Sequence, residues 1–298
     1  MADRKTEEWA AEEQTPNLRL SLRVKEVLHR EKTPYQEMAV YDTFECGRTL
    51  FLDGTVQTTE ADEFTYHEAL VHVPLFAHPD PRRVLIVGGG DGGPVREVLK
   101  HPSVEEVHLV EIDRRVFEVA RQYLPFNNSW YGTDPRAKVM FLDGIKYVSD
   151  LTGQIAAGKA KPYDVAIVDS TDPVGPAVGL FTSNFYAAVR RVLSPDGLMV
   201  AQSESPFVHR HVIKRVVDAM SEAWPVCRLY LGPMPTYPSG YWSYTIGSNG
   251  GDPSHPARPV PAGFQARLYT SEWHRAAFAL PPFVQELMPG DAARSAGR

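Results

Sequence analysis

The stretch RVLIV at 83–87 passes without a break into GGGDGG at 88–93, and helical spacing resumes from there to Lys100. No other feature constrains the fold so strongly. An uninterrupted β-branched run, a glycine turn and a helix open a βαβ unit. Gly88, Gly90 and Gly93 satisfy G-x-G-x-x-G, and Glu111 closes the next apolar run, EVHLV at 106–110. Glycines let a ligand approach the backbone closely, and an acid at that offset accepts two ribose hydroxyls. The pattern predicts a nucleoside-type ligand. Its alternative is a glycine-rich turn that only packs a helix on a strand.

Strand and helix patterns keep alternating downstream. Lys138–Leu142 reads as a third strand followed by Asp143-Gly144, YDVAIV at 163–168 as a fourth ending on Asp169, and Gly197–Gln202 as a fifth. Continuous apolar strands separated by helices predict an α/β fold of the doubly wound, Rossmann-like, methyltransferase type, with a parallel sheet. Upstream the period changes. Ser21–Leu28, Gln36–Tyr41, Arg48–Leu52 and Val56–Thr58 read as strands, with a hairpin turn at Asp53-Gly54. They predict a small antiparallel β domain over residues 1–61, with residues 1–17 frayed, and a catalytic domain over 62–298 opening on a helix from Glu63 to Phe76. Asn249–Gly263 reads as a Gly/Pro loop.

Composition mostly excludes. A net charge of -6 disfavours nucleic acid and mildly favours cationic ligands. The two cysteines, Cys46 and Cys227, form no CxxC pair, so neither a disulfide framework nor a cysteine zinc site is expected. His67 and His72 are five apart and face differently on a helix; His209 and His211 are two apart; no metal site is expected from either pair. No run is long and apolar enough to span a bilayer, and the charged start MADRKTEEWAAEEQ has no signal-peptide core, so a cytoplasmic protein is expected.

The acids select among nucleosides. Asp91 stands inside the glycine loop, where a dinucleotide would place its pyrophosphate. Two like charges about 4 Å apart cost roughly 1–4 kcal/mol between water and a surface dielectric. A pyrophosphate, or the carboxylate of S-adenosylmethionine, is therefore disfavoured, and a free ammonium is favoured. The alternative is that Asp91 merely caps the following helix. Asp143 either accepts from an adenine amino group or N-caps its helix. Asp169 and Asp172, in DSTDPVGP at 169–176, follow a central strand at its ligand-binding end. An alkyl ammonium has a pKa near 10.4, so freeing its lone pair at neutral pH costs roughly 4–5 kcal/mol. Crowded acids shielded from water raise one pKa towards that of a useful base. The freed amine then attacks the carbon next to a sulfonium, which leaves as a neutral thioether.

GGGDGG (88–93), EID (111–113), DG (143–144), DSTDPVGP (169–176) and PTYPSG (235–240), in this order, resemble spermidine synthases. So do YQE (35–37), LDG (52–54) with Gln57, and DEFTYHEAL (62–70). The resemblance runs from about residue 18 to LPPFVQEL (280–287). It implies an aminopropyltransferase that uses decarboxylated S-adenosylmethionine as co-substrate, putrescine as acceptor and no other cofactor. By that resemblance Asp169 is the proton acceptor. Gln36, Gly88, Gly90, Glu111, Asp143, Gly144 and Pro176 would contact the nucleoside. Asp91 and His67 would contact the aminopropyl or polyamine chain, with Tyr66, Gln57, Asp172 and Tyr237 lining the diamine site. The family also implies a homodimer or homotetramer assembled through the N-terminal β domain. Leu142 departs from the family's frequent glycine before Asp143. Alternatives are a diamine N-methyltransferase, another acceptor (agmatine, cadaverine, spermidine), an NAD-dependent oxidoreductase lacking a second motif, and a non-catalytic polyamine binder.

Overall fold

The computed structural model describes residues 8–171 and 175–289. Five strands form an N-terminal antiparallel sheet in the order β1-β2-β3-β4-β5: β1 (Trp9–Thr15), β2 (Leu18–Lys32), β3 (Glu37–Thr43), β4 (Gly47–Leu52) and β5 (Thr55–Thr59). β1 corrects the expectation of fraying at 1–17 over Trp9–Thr15; residues 1–7 lie outside the described residues. Its inward positions are Ala10 and Glu12, both buried, so the strand alternates without alternating in hydrophobicity. The Glu12 carboxylate accepts the Val56 amide at 2.9 Å and ties β1 to β5 across the sheet.

Helix α1 (Glu63–Ala77) then leads into the second sheet. There follow β6 (Arg83–Gly88), α2 (Gly93–Leu99), β7 (Glu106–Glu111), α3 (Arg114–Tyr123), the single turn α4 (Pro125–Asn128), β8 (Ala137–Phe141), α5 (Gly144–Ala156) and β9 (Tyr163–Asp169). After a 3-10 segment (Gly175–Phe181) come α6 (Ser183–Arg191), β10 (Leu193–Gln202), α7 (Arg210–Ala223), β11 (Val226–Pro233), β12 (Tyr241–Ser248), α8 (Ser271–Ala277) and α9 (Pro282–Gln285). The sheet order is β11-β12-β10-β9-β6-β7-β8. β10, β9, β6, β7 and β8 run parallel, but β12 is antiparallel to both β10 and β11. The sheet is therefore mixed at one edge, not parallel throughout. No segment from Asn249 to Thr270 forms a helix or strand.

Both faces of this sheet are covered, which is why its strands read as continuous apolar runs. Along β6, Leu85 and Val87 pack towards α5, α6 and α7, while Val84 and Ile86 pack towards α1 and α2. All four are essentially inaccessible, each burial stabilising by roughly 1.5–3 kcal/mol. Parallel pairing sets the ends of β6, β7 and β9 side by side, with Gly88 opposite Asp169. No helix among the described residues is long and apolar enough to cross a membrane.

Gly88 is where the fold makes the site. Its φ is +83°, and an added Cβ would lie 2.0 Å from the Asp169 carbonyl oxygen. Left-handed strain costs a non-glycine residue about 1–3 kcal/mol before that overlap is relieved. Gly88→Ala should therefore lower unfolding stability in urea by more than about 2 kcal/mol and displace Asp169; an unchanged midpoint would show that the turn relaxes freely.

Candidate active site

The strand ends open into a cavity of about 650 Å³ between the two sheets. One half of it is built around Glu111. An added Cβ on Gly90 would lie 2.8 Å from Glu111 Oε2, so glycine there lets the carboxyl rest against the loop. Glu111 accepts the Asp113 amide at 2.8 Å and is only 8% exposed; burial, with Asp113 and Asp169 nearby, pushes it up to about 7. Asp113 caps α3 through the Arg115 amide and accepts Thr33 Oγ1 at 2.6 Å and Gln36 Nε2 at 3.2 Å. Gln36 thus enters the cavity wall fastened to the strand end that carries Glu111. Asp143 and Gly144 line the same wall, and Asp143 Oδ1 accepts the Ile145 and Lys146 amides as the N-cap of α5.

At the centre stands Asp169, at the end of β9. Its Oδ1 accepts the Tyr66 hydroxyl at 2.6 Å. Burial first, then the neighbouring Asp91, pushes its carboxyl up to about 6, although His67 and Tyr66 pull the other way. Tyr66 itself is held well above the ordinary phenol range by burial and by Asp169, so it stays a neutral donor. Asp91 both caps and faces the cleft: Oδ1 accepts the Gly93 amide at 2.9 Å, while Oδ2 lies 3.3 Å from His67 Nε2 and accepts Asn127 Nδ2 at 3.2 Å. The other His67 nitrogen, Nδ1, is 2.6 Å from Glu63 Oε2.

The other half of the cavity joins residues that the resemblance implied, Tyr237 and Gln57, to others that no motif marks. Tyr237 lines it and donates its hydroxyl to the Gln57 carbonyl. The PTYPSG segment is anchored by Asp62, whose Oδ2 accepts the Thr236 amide and hydroxyl at 2.9 and 2.8 Å. Beyond them, Trp242, Gln202, Glu204, Glu12 and His209 complete the wall. Burial pushes Glu12 up to about 6, eased by the Val56 amide and reinforced by Glu204. His209 Nδ1 lies 2.9 Å from Glu204 Oε2, and that contact raises its pKa. Glu204 carries no motif; its signal is a φ of +79° just after β10, which only coordinates reveal. His209, set aside as a metal candidate, belongs to this acidic end.

Asp172 lies outside the described residues, as does the side chain of Pro176. Among the described residues, His67, Asp91 and Asp169 bring ligand atoms within 4.8 Å of one another, a spacing a metal ion could use. Without an ion between them, the ring is held as a donor. Burial pulls the His67 imidazole down, but Asp91 and Glu63 outweigh it and push it up to about 10. An imidazolium donates from both nitrogens and offers no lone pair.

Fold and cleft define an α/β protein with a cluster of carboxyls at the ends of its parallel strands. Residues 63–255 match the family described as spermine/spermidine synthase domain, and residues 8–60 match the spermidine synthase tetramerisation domain. A polyamine aminopropyltransferase of a Thermoanaerobacter species is 51% identical over 279 residues, covering 94% of this chain and 98% of that protein. One from Moorella thermoacetica is 50% identical over 280 residues, covering 94% and 96%. Among solved structures, a spermidine synthase in complex with the transition-state analogue AdoDATO superposes with a TM-score of 0.89 at 40% identity, covering 95% of this chain and 96% of that one. Spermidine synthase from Thermotoga maritima gives 0.86 at 39%, covering 95% of each. The chain belongs to the spermine/spermidine synthase family.

A carboxyl whose native pKa lies above its ordinary value destabilises the fold once it ionises. For Asp169 the native value is about 6 against 3.8, so stability declines as pH rises from about 4 to about 6 and stays lower above that, by up to about 3 kcal/mol. Asp169→Asn removes this cost. The variant should be more stable than the parent at pH 8 by about 1–3 kcal/mol, with the difference vanishing near pH 4. Urea titrations at both pH values check it; a variant less stable at pH 8 would contradict the assigned cost.

Proposed function

We propose that the chain transfers the aminopropyl group of decarboxylated S-adenosylmethionine to putrescine, giving spermidine and methylthioadenosine. One observation carries the reading. An acid with a pKa pushed to about 6, Asp169, stands beside a second acid, Asp91, in the glycine loop of a nucleoside cleft. Glu111 would accept the ribose hydroxyls, Asp143 with Gln36 and Gly144 would frame the base, and Asp91 would hold the donor's ammonium. A carboxylated donor would set a second negative charge near Asp91.

In the step itself, the acceptor amine gives its proton to Asp169 and its lone pair to the methylene carbon next to sulfur. The N–C bond forms as the C–S bond breaks, and the bonding pair stays on sulfur as a neutral thioether. A solvated aspartate near pKa 4 would be a poor base for an ammonium near 10.4; raising Asp169 to about 6 narrows that gap by roughly 3 kcal/mol. Tyr66 orients the accepting carboxylate. The Tyr237 ring, with centroids of Tyr66 at 5.7 Å and Trp242 at 4.7 Å, suits an aliphatic chain with cationic ends. Glu12 and Glu204 would take the far ammonium, which supports a diamine acceptor. Residues 1–61 would serve assembly into a homodimer or homotetramer and close one side of the cleft, while 62–298 carry the chemistry.

The test is methylthioadenosine release from decarboxylated S-adenosylmethionine with putrescine, cadaverine, agmatine or spermidine. Putrescine should give the highest kcat/KM, with rates falling below about pH 6 as Asp169 protonates. Asp169→Asn should lose more than a hundredfold in turnover with little change in donor binding. Release with no amine, or methylated product from S-adenosylmethionine, would overturn the reading.

A further inference from the structure

His67 is 2% exposed and carries an acid on each nitrogen, Glu63 at 2.6 Å and Asp91 at 3.3 Å. Glu63 is fixed from behind: Arg96 Nη1 and Nη2 donate to its two oxygens at 3.0 and 2.8 Å. Although burial opposes it, His67 and Arg96 hold the Glu63 carboxyl below the usual range. The glycine loop makes room for the ring. An added Cβ on Gly93 would lie 2.1 Å from His67 Cε1, so the third glycine of the motif is reserved for this imidazole as well as for helix packing. A side chain with both nitrogens committed to carboxylates and a positive charge is a poor contact for a polyamine, the role the family resemblance implies.

The placement answers an electrostatic problem. Asp91 and Asp169 stand within 4.8 Å of one another through His67. Two carboxyls so close share a proton when nothing distinguishes them. We propose that His67 is a positioning residue: a fixed buried cation that assigns the negative charge to Asp91 and so leaves Asp169 free to be the proton acceptor. Asp91 is then the partner for the donor's ammonium, and Asp169, pushed up to about 6, is left to accept the proton. The groups facing Asp169 are Asp91 and His67, with the hydroxyls of Tyr66, Tyr237 and Tyr244 and the carboxyl of Glu111 around them. Those facing His67 are Glu63 and Asp91. Among them His67 is the cation.

This rests on Asp169 being the base, so the test separates the two. In the resting protein, without substrates, the Asp169 carboxyl carbon is followed by NMR across pH 4–9 in the parent, His67→Gln and Asp91→Asn. Glutamine keeps hydrogen bonds to both acids but no charge. The expected result is opposite shifts: His67→Gln raises the Asp169 midpoint by about one pH unit, and Asp91→Asn lowers it. In turnover, His67→Gln should lose about twofold at pH 7 and approach a tenfold loss near pH 5, and it should match the parent by pH 8.5, with donor KM little changed. A midpoint that does not move in His67→Gln, or a loss equal at every pH, would overturn the proposal. If His67→Gln fails to fold, Asp91→Asn still decides: a midpoint that stays put or rises there contradicts it. Silence in the turnover assay with the NMR shifts intact would count against the proposed function alone.

Discussion

The crowding of carboxyls at one end of a parallel sheet is the constraint on which the rest depends. Asp91, Glu111 and Asp169 leave adjacent strand ends because β6, β7 and β9 are neighbours in parallel register. Nothing in an ordinary core would place three acids there; left alone they repel, and burial makes each of them costlier to ionise. The molecule offsets this locally. Tyr66 donates to Asp169, the Asp113 amide to Glu111, and His67 faces Asp91. What remains unbalanced is the property that chemistry on cations requires: a site short of positive charge.

The surrounding architecture frames that site from both sheets. α1 delivers Tyr66 and His67 from one helix turn, and Asp62 just before it anchors the segment that carries Tyr237. The N-terminal sheet supplies the opposite wall through Gln57, Gln36 and Glu12. Each sheet therefore contributes residues that the other cannot reach. The unfavourable groups are held by rigid elements, so the strain is stored where the reaction would use it.

Much of this was legible in the sequence, for identifiable reasons. β6, β7 and β9 announce themselves because both faces are buried, and the glycines of 88–93 are forced by contacts with Asp169, Glu111, Asn128 and His67. Glu111 and Asp169 follow from position at strand ends. The remainder was hidden by physics that periodicity does not record. β1 turns an alanine and a glutamate inwards, so it shows no hydrophobic alternation. The antiparallel course of β12 depends on partners brought from 198–202 and 226–233, not on its own residues. Glu204 owes its place to a left-handed backbone held by Ser243, whose amide and hydroxyl donate to the Glu204 carbonyl at 3.0 and 2.8 Å. His209 matters only because Glu204 is there.

Charge selection by the cleft is measured most directly by calorimetric binding of S-adenosylmethionine and its decarboxylated form to the same protein. The two differ by one carboxylate, which Asp91 would face. A like-charge cost of roughly 1–4 kcal/mol corresponds to about five-fold to several-hundred-fold in affinity. Decarboxylated donor binding tighter by at least that lower factor, with the gap closing in Asp91→Asn, is the predicted result. Equal affinities, or tighter binding of the carboxylated form, would contradict the account.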